Sequence, residues 1–95
     1  MNIESALSSA KLAREYVTAY TSALNSEVLD DRLFADMATQ KSFFSKKLQV
    51  SKSQLRDSLF GGRGKLSADL RDATGDDKAA LETAIAGIDA ELSTL

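Results

Sequence analysis

The chain has 95 residues, the size of a single domain, and contains neither cysteine nor histidine. These absences exclude a disulfide framework, a thiolate metal site and histidine-based catalysis. Fourteen acidic and twelve basic residues give a net charge of −2, but the charge is unevenly distributed. Residues 41–65, called the basic segment below, carry seven basic side chains and one carboxylate, a net +6, whereas both flanks are acidic.

Proline is absent, and alanine, leucine, serine, lysine and aspartate dominate the composition. This composition is typical of helices punctuated by glycine, so we predict an all-α fold: one small helical bundle of four to five helices across residues 1–95, with long amphipathic N- and C-terminal helices. No stretch approaches the roughly 20 apolar residues that cross a bilayer, and no signal-peptide pattern opens the chain. We therefore expect a soluble, cytoplasmic protein without a membrane contact.

The first predicted helix is about 22 residues long, with Asn2 as its N-cap. Its apolar residues alternate at steps of three and four, a heptad seam formed by Ile3, Ala6, Ala10, Ala13, Val17, Tyr20 and Leu24. Because three of these side chains are alanine, a partner helix is expected to approach closely.

The pattern breaks near residue 26 and resumes as a looser stripe, which fits either one bent helix or two short ones. Ser51 or Ser53 then predicts the N-cap of a further helix. Gly61-Gly62 predicts its end, with a flexible glycine-rich turn at residues 61–64. Leu66 and Leu70 predict another short helix that stops at Gly75.

The last predicted helix follows Asp76 and Asp77, either of which suits a cap, and keeps a seam to the C-terminus at Leu81, Ile85, Ile88, Leu92 and Leu95. Its expected partner is either the first helix of the same chain or the same helix in another subunit. We predict a core that includes Val17, Tyr20, Phe44, Leu48, Leu55, Leu81, Ile85 and Ile88.

The basic segment is the main candidate for binding, because its charge attracts phosphate or an acidic protein surface. The candidate residues are Lys46, Lys47, Lys52, Gln54, Arg56, Arg63 and Lys65. Gly61 to Lys65 does not form a nucleoside-triphosphate loop, since that motif needs a glycine at position 59 and a Ser or Thr at 66, where this chain has leucine.

Residues 41–60 resemble the helix-turn-helix of DNA-binding repressors of the phage-repressor group, which places apolar residues and one small residue at fixed positions. Counted from Lys41, these positions hold Phe44, Ser45, Leu48, Val50 and Leu55. The pattern departs at Gln49, where the turn usually has glycine, and at Ser58, where an apolar residue is expected. The resemblance implies that Ser51, Lys52, Ser53, Gln54 and Arg56 face the DNA groove, while Lys46, Lys47, Arg63 and Lys65 hold phosphates.

Two other sequence patterns are weaker evidence of function. Phe60-Gly61-Gly62 is the nearest match to the Trp-x-Gly turn of small secreted helical-hairpin proteins, but tryptophan and the export pattern of that family are missing. Asp30-Asp31 and Asp76-Asp77 are most simply read as partners of helix dipoles. We therefore predict no catalytic residue, metal site or cofactor.

Two functions remain open. The first is a non-enzymatic helical assembly or adaptor protein, a homo- or hetero-oligomer or a component of a larger complex such as a virion or secretion apparatus. Its predicted interface or core seam is Ile3, Val17, Tyr20, Leu24, Leu81, Ile85, Ile88 and Leu92. The alternative is a small helix-turn-helix regulator that binds DNA through residues 41–65.

Overall fold

The computed structural model describes residues 3–95, which form three helices and no strand. Helix α1 spans Ile3–Asn25, α2 spans Met37–Leu70 and α3 spans Gly75–Leu92. The all-α prediction is confirmed, but the predicted count of four to five helices is wrong. The expected cap at Asn2 lies outside the described residues.

Helix α2 is the axis of the molecule, and the other two helices pack against it. Helix α1 runs antiparallel to α2: Tyr20 contacts Phe44 near one end of the pair, and Ala6 contacts Gly62 near the other. Helix α3 returns along the second half of α2. The molecule measures 58 × 18 × 15 Å, and its radius of gyration of 17.4 Å exceeds the about 12 Å expected for a compact domain of this length.

The core lies where all three helices overlap, along the second half of α2. Its buried members come from each helix: Ala10, Ala13, Leu55, Leu59, Leu66, Leu81 and Ile88. Of the predicted core, Leu48, Leu55, Leu81 and Ile88 are buried. Val17, Tyr20, Phe44 and Ile85 are only partly buried, because a layer of two or three helices leaves one side of each helix open.

The predicted turn at residues 61–64 is wrong, because these residues lie inside α2. Residues 41–60 are likewise one continuous helix, so the two short helices implied by the repressor resemblance are not formed. Ser51 is buried within α2 and caps no helix, and Val50 is 56% exposed where the resemblance requires packing. Gln49 and its neighbours favour helix, so nothing local interrupts the hydrogen-bond ladder there.

Gly62 explains why glycine occurs inside this helix. A Cβ at position 62 would lie 2.8 Å from the carbonyl oxygen of Ala6, so the absence of a side chain lets α1 and α2 approach closely. Packing between helices thus outweighs the helix-breaking tendency of glycine, which is about 1 kcal/mol per residue relative to alanine.

The linker at residues 26–36 is fastened to α2 by Gln40, which is 3% exposed. Its Nε2 donates to the carbonyl oxygen of Val28 at 2.9 Å, and its Oε1 accepts from the amide of Asp30 at 2.8 Å. The carboxylate of Asp36 caps α2 by accepting from the amide of Thr39 at 2.7 Å. These bonds fix where α2 begins.

Helix α3 has a partner that the sequence did not indicate: it packs against α2 of its own chain. Thr74, rather than Asp76 or Asp77, occupies its N-cap position, and the two aspartates lie in its first turn. Gly75 has a φ of +59°, which glycine adopts without the strain that other residues incur.

Candidate functional site

The basic segment does not form one continuous patch, because its side chains point to different sides of α2. Arg56 donates from Nη2 to the carbonyl oxygen of Leu95 at 3.3 Å. Arg63 forms a two-pronged ion pair with Asp89, with distances of 2.6 and 3.2 Å. Two of the predicted phosphate or acidic-partner ligands are therefore used within the chain: Arg63 binds α3, and Arg56 binds Leu95 just beyond the end of α3.

The other basic side chains are spread along α2. Lys47 lies over the ring of Phe43, with its Nζ 5.5 Å from the ring centroid. Lys41 donates to the carbonyl oxygen of Leu24 at 3.2 Å, at the C-terminal end of α1. Within the described part of the chain, no hydrogen bond or ion pair involves Lys46, Lys52 or Lys65. Gln54, the predicted base reader, is exposed beside α1.

A second two-pronged pair connects α1 to α3. Arg14 donates from Nε and Nη2 to the two carboxylate oxygens of Glu91 at 2.7 and 2.6 Å. The hydrogen bond to Arg14 lowers the pKa of Glu91, and the same bond raises the pKa of Arg14. The hydrogen bond between Arg63 and Asp89 likewise lowers the pKa of Asp89 and raises that of Arg63. Together these pairs fix α3 on one side of the α1–α2 hairpin.

The opposite side of the hairpin is uncovered and exposes four large apolar side chains among polar ones. We call it the apolar strip and define it by Leu12 and Tyr16 of α1 and Phe43 and Val50 of α2. These side chains are 54%, 46%, 43% and 56% exposed, respectively. Large apolar side chains grouped at this exposure are typical of a surface that contacts another molecule.

Helix geometry places the strip and α3 on opposite sides. Residues two apart on a helix point about 200° apart, so Tyr16 faces away from Arg14, which contacts α3. Gln54 likewise faces away from Arg56, which contacts Leu95 just beyond the end of α3. Tyr16 and Gln54 together line two adjoining open depressions of about 270 and 330 Å³ between α1 and α2.

The strip continues into an aromatic cluster at the end of the hairpin. Tyr16 stacks on Tyr20 with a centroid distance of 6.3 Å, and Tyr20 contacts Phe44 at 6.3 Å. Phe44 in turn contacts Phe43 at 5.2 Å, with the rings nearly perpendicular. The aromatic contacts give the partly exposed rings a defined arrangement.

The predicted seam has a different role from the strip. Leu81 and Ile88 belong to the core, and Ile3, Val17, Ile85 and Leu92 pack around it within the chain. Tyr20 and Leu24 are partly buried nearer the linker. Leu12 and Phe43 were not singled out from the sequence. The sequence spacing could have indicated the strip, because residues four or seven apart share one face of a helix. Leu12 and Tyr16 are four apart and off the seam, and Phe43 and Val50 are seven apart.

A group of acidic side chains lies on another surface. Asp69, Asp72 and Asp77 line an open depression of about 270 Å³ between α2 and α3. Among residues 3–95, no group of three or more acidic side chains is placed to hold a metal ion. In the same residues, every helix is too short or too polar to cross a membrane.

Comparison of the chain with protein-family models, curated proteins and solved structures gives no significant match. The surface of the molecule is therefore the basis for a functional proposal.

Proposed function

We propose that this protein is a non-enzymatic helical assembly or adaptor protein that acts through protein–protein contacts. The observation that carries the proposal is the apolar strip, because four large apolar side chains on two helices are exposed together on one side. Aromatic and apolar side chains at the centre of a patch supply most of the energy of protein interfaces.

The shape supports the same proposal. A folded monomer of 10.2 kDa is expected to expose about 5,300 Å², whereas this chain exposes 6338 Å². The excess of about 1,000 Å² is similar to the roughly 800 Å² that each partner loses to a standard interface. A rod-shaped layer of helices with exposed apolar side chains on one side suits incorporation into a larger assembly.

Regulation through DNA binding has less support. Helix α2 is continuous through residues 41–60. Arg63 pairs with Asp89 of α3, and Arg56 donates to the carbonyl oxygen of Leu95. A DNA reader with several phosphate contacts shows nonspecific dissociation constants of about 10⁻⁴ to 10⁻⁶ M. Binding of a random duplex in that range, lost on replacement of Lys46, Lys47 and Lys65 by alanine, would favour the regulator instead.

The proposal is tested by the size of the native protein in a gently prepared extract of the cells that express it. We expect the wild-type chain to elute in a complex larger than 10.2 kDa, and the variant Val50→Glu to elute as a smaller species. The matched control is Phe60→Glu, because Phe60 is equally exposed at 56% but lies off the strip. Elution of the wild type as a free monomer contradicts the proposal. Fractionation of the same cells tests the cytoplasmic location.

A further inference from the structure

We infer that the partner of the apolar strip is a second copy of this chain, and that two α1–α2 hairpins pair side by side in parallel to form a four-helix bundle. The inference rests on the proposed function, since it names the partner for the same surface. It assigns α3 to the outside of the dimer, where it supports each hairpin.

The accessible area of the whole chain is large enough to include a dimer interface. The chain exposes 6338 Å², about 1,000 Å² more than expected for a compact monomer of its mass. A stable two-fold dimer hides about 800 Å² per subunit. Pairing through one long side of a rod 58 Å long and 18 Å wide provides an area of this order.

The strip is complementary to itself about a two-fold axis along the hairpin. Such an axis places α1 of each copy over α2 of the other, at the same level along the rod. Tyr16 and Val50 line the same depression and so share one level. Tyr16 of one copy then covers Val50 of the other, and the reciprocal contact forms automatically.

The charges favour this parallel arrangement over an antiparallel one. On the strip side, α1 presents uncharged residues at steps of three and four: Ser5, Ser9, Leu12, Tyr16, Tyr20 and Ala23. The α2 side carries Lys46, Lys47 and Lys65 against one nearby carboxylate, Asp57. An antiparallel pairing with α2 on α2 brings the lysines of both copies together, whereas the parallel pairing places them over the uncharged helix.

The position of Gly61 is consistent with close packing of a second copy against α2. It lies seven residues from Gln54, on the strip side of α2, and a Cβ there would meet no atom within 4 Å. Unlike Gly62, it has no role in packing within the chain. A glycine at this position lets the helix of another copy approach the backbone of α2.

The test is sedimentation equilibrium of the purified chain from micromolar to sub-millimolar concentration. We expect a concentration-dependent mass that doubles from 10.2 kDa. Val50→Glu is expected to raise the dimer dissociation constant at least about 100-fold, because a carboxylate is desolvated in the apolar contact. Phe60→Glu is expected to leave the constant within about two-fold of wild type, as exposed substitutions usually do. Circular dichroism establishes that both variants keep the helix content of the wild type.

A wild type that stays monomeric throughout this range overturns the inference. A dimer that both variants weaken equally, or that neither weakens, overturns the assignment of the strip. A purified monomer that nevertheless elutes in a larger complex from cell extract overturns the second copy as the partner and leaves the proposed function standing. A monomer in both experiments overturns both.

The orientation is tested with a spin label on a single cysteine introduced as Asp31→Cys, since the chain has no other cysteine. In the parallel dimer the two hairpin ends are adjacent, and the labels lie about 10–20 Å apart, one to two helix diameters. In an antiparallel dimer they lie at opposite ends, more than about 30 Å apart. The longer distance overturns the parallel arrangement.

Discussion

Gly62 of α2 lies directly against the backbone of α1 at Ala6. A Cβ at position 62 would be 2.8 Å from the carbonyl oxygen of Ala6 and 2.9 Å from Cδ2 of Leu7. Protein Cβ atoms do not approach backbone oxygens this closely, so any side chain at 62 separates the helices. The contact thus sets the distance between α1 and α2 near the core.

The variant Gly62→Ala is therefore expected to destabilise the fold by about 1–3 kcal/mol, because overpacking outweighs the gain in helix propensity. Gly64→Ala is the matched control, since a Cβ at 64 meets nothing within 4 Å. It is expected to stabilise the chain by about 1 kcal/mol. Urea unfolding followed by circular dichroism measures both, and equal stabilisation by the two variants would contradict the close contact.

A second prediction concerns the core. Leu59 is 1% exposed and lies at the overlap of the three helices, whereas Ile85 is only partly buried. Leu59→Ala is expected to cost about 2–5 kcal/mol through lost burial and an unfilled cavity. Ile85→Ala is expected to cost less, because solvent already reaches part of its side chain. Thermal unfolding of both variants decides the order, and a larger loss for Ile85 would show that the core lies elsewhere.

The helical class and the terminal helices were predictable from sequence, because they depend on local apolar spacing. The predicted seams include Ala10 and Ala13 in α1, and Leu81 and Ile88 in α3, which are buried in the core. The single helix α2 was not predictable. Gly61 and Gly62 are local signals for a helix end, and only the contact of Gly62 with α1, which is distant in sequence, overrides them.

The candidate site was predicted less well. Charge in the sequence pointed to the basic segment, but its residues lie on different sides of one helix, and Arg56 and Arg63 bind the C-terminal part of the same chain. The apolar strip was missed because its members come from two helices whose relative position is a tertiary property. Val50 shows the difficulty. The repressor pattern in the sequence assigns it a buried position, yet its side chain is 56% exposed.

A third prediction concerns the linker. The buried side chain of Gln40 forms hydrogen bonds with two backbone groups, the carbonyl of Val28 and the amide of Asp30. Gln40→Ala removes the hydrogen-bond partner of both backbone groups. Because buried polar groups are then left unpaired, the variant is expected to lower the free energy of unfolding by about 1–3 kcal/mol. Hydrogen exchange of the Asp30 amide is expected to accelerate in the variant. Thr39→Ala is the control at an exposed neighbour, where the cap bond uses the backbone amide; similar exchange of Asp30 in both variants would contradict the role of Gln40.

The last prediction concerns acid sensitivity, because two carboxylates of α3 pair with arginines. Hydrogen bonds from Arg63 and Arg14 hold the pKa values of Asp89 and Glu91 below their usual range. A carboxyl whose pKa is lower in the folded state stabilises folding above its unfolded pKa, and this contribution disappears as pH falls through the folded pKa.

The free energy of unfolding is therefore expected to be nearly constant from about pH 7 to 5 and to fall below about pH 4, near the ordinary carboxyl pKa. The double variant Asp89→Asn with Glu91→Gln is expected to be less stable at neutral pH and to show a shallower acid decline. Glu82→Gln is the control, a carboxylate of α3 outside both pairs. Because the pairs are partly exposed, added salt is expected to reduce the difference between wild type and the double variant. Denaturant unfolding across this pH range measures each slope, and an unchanged acid decline in the double variant would show that the pairs do not couple to folding.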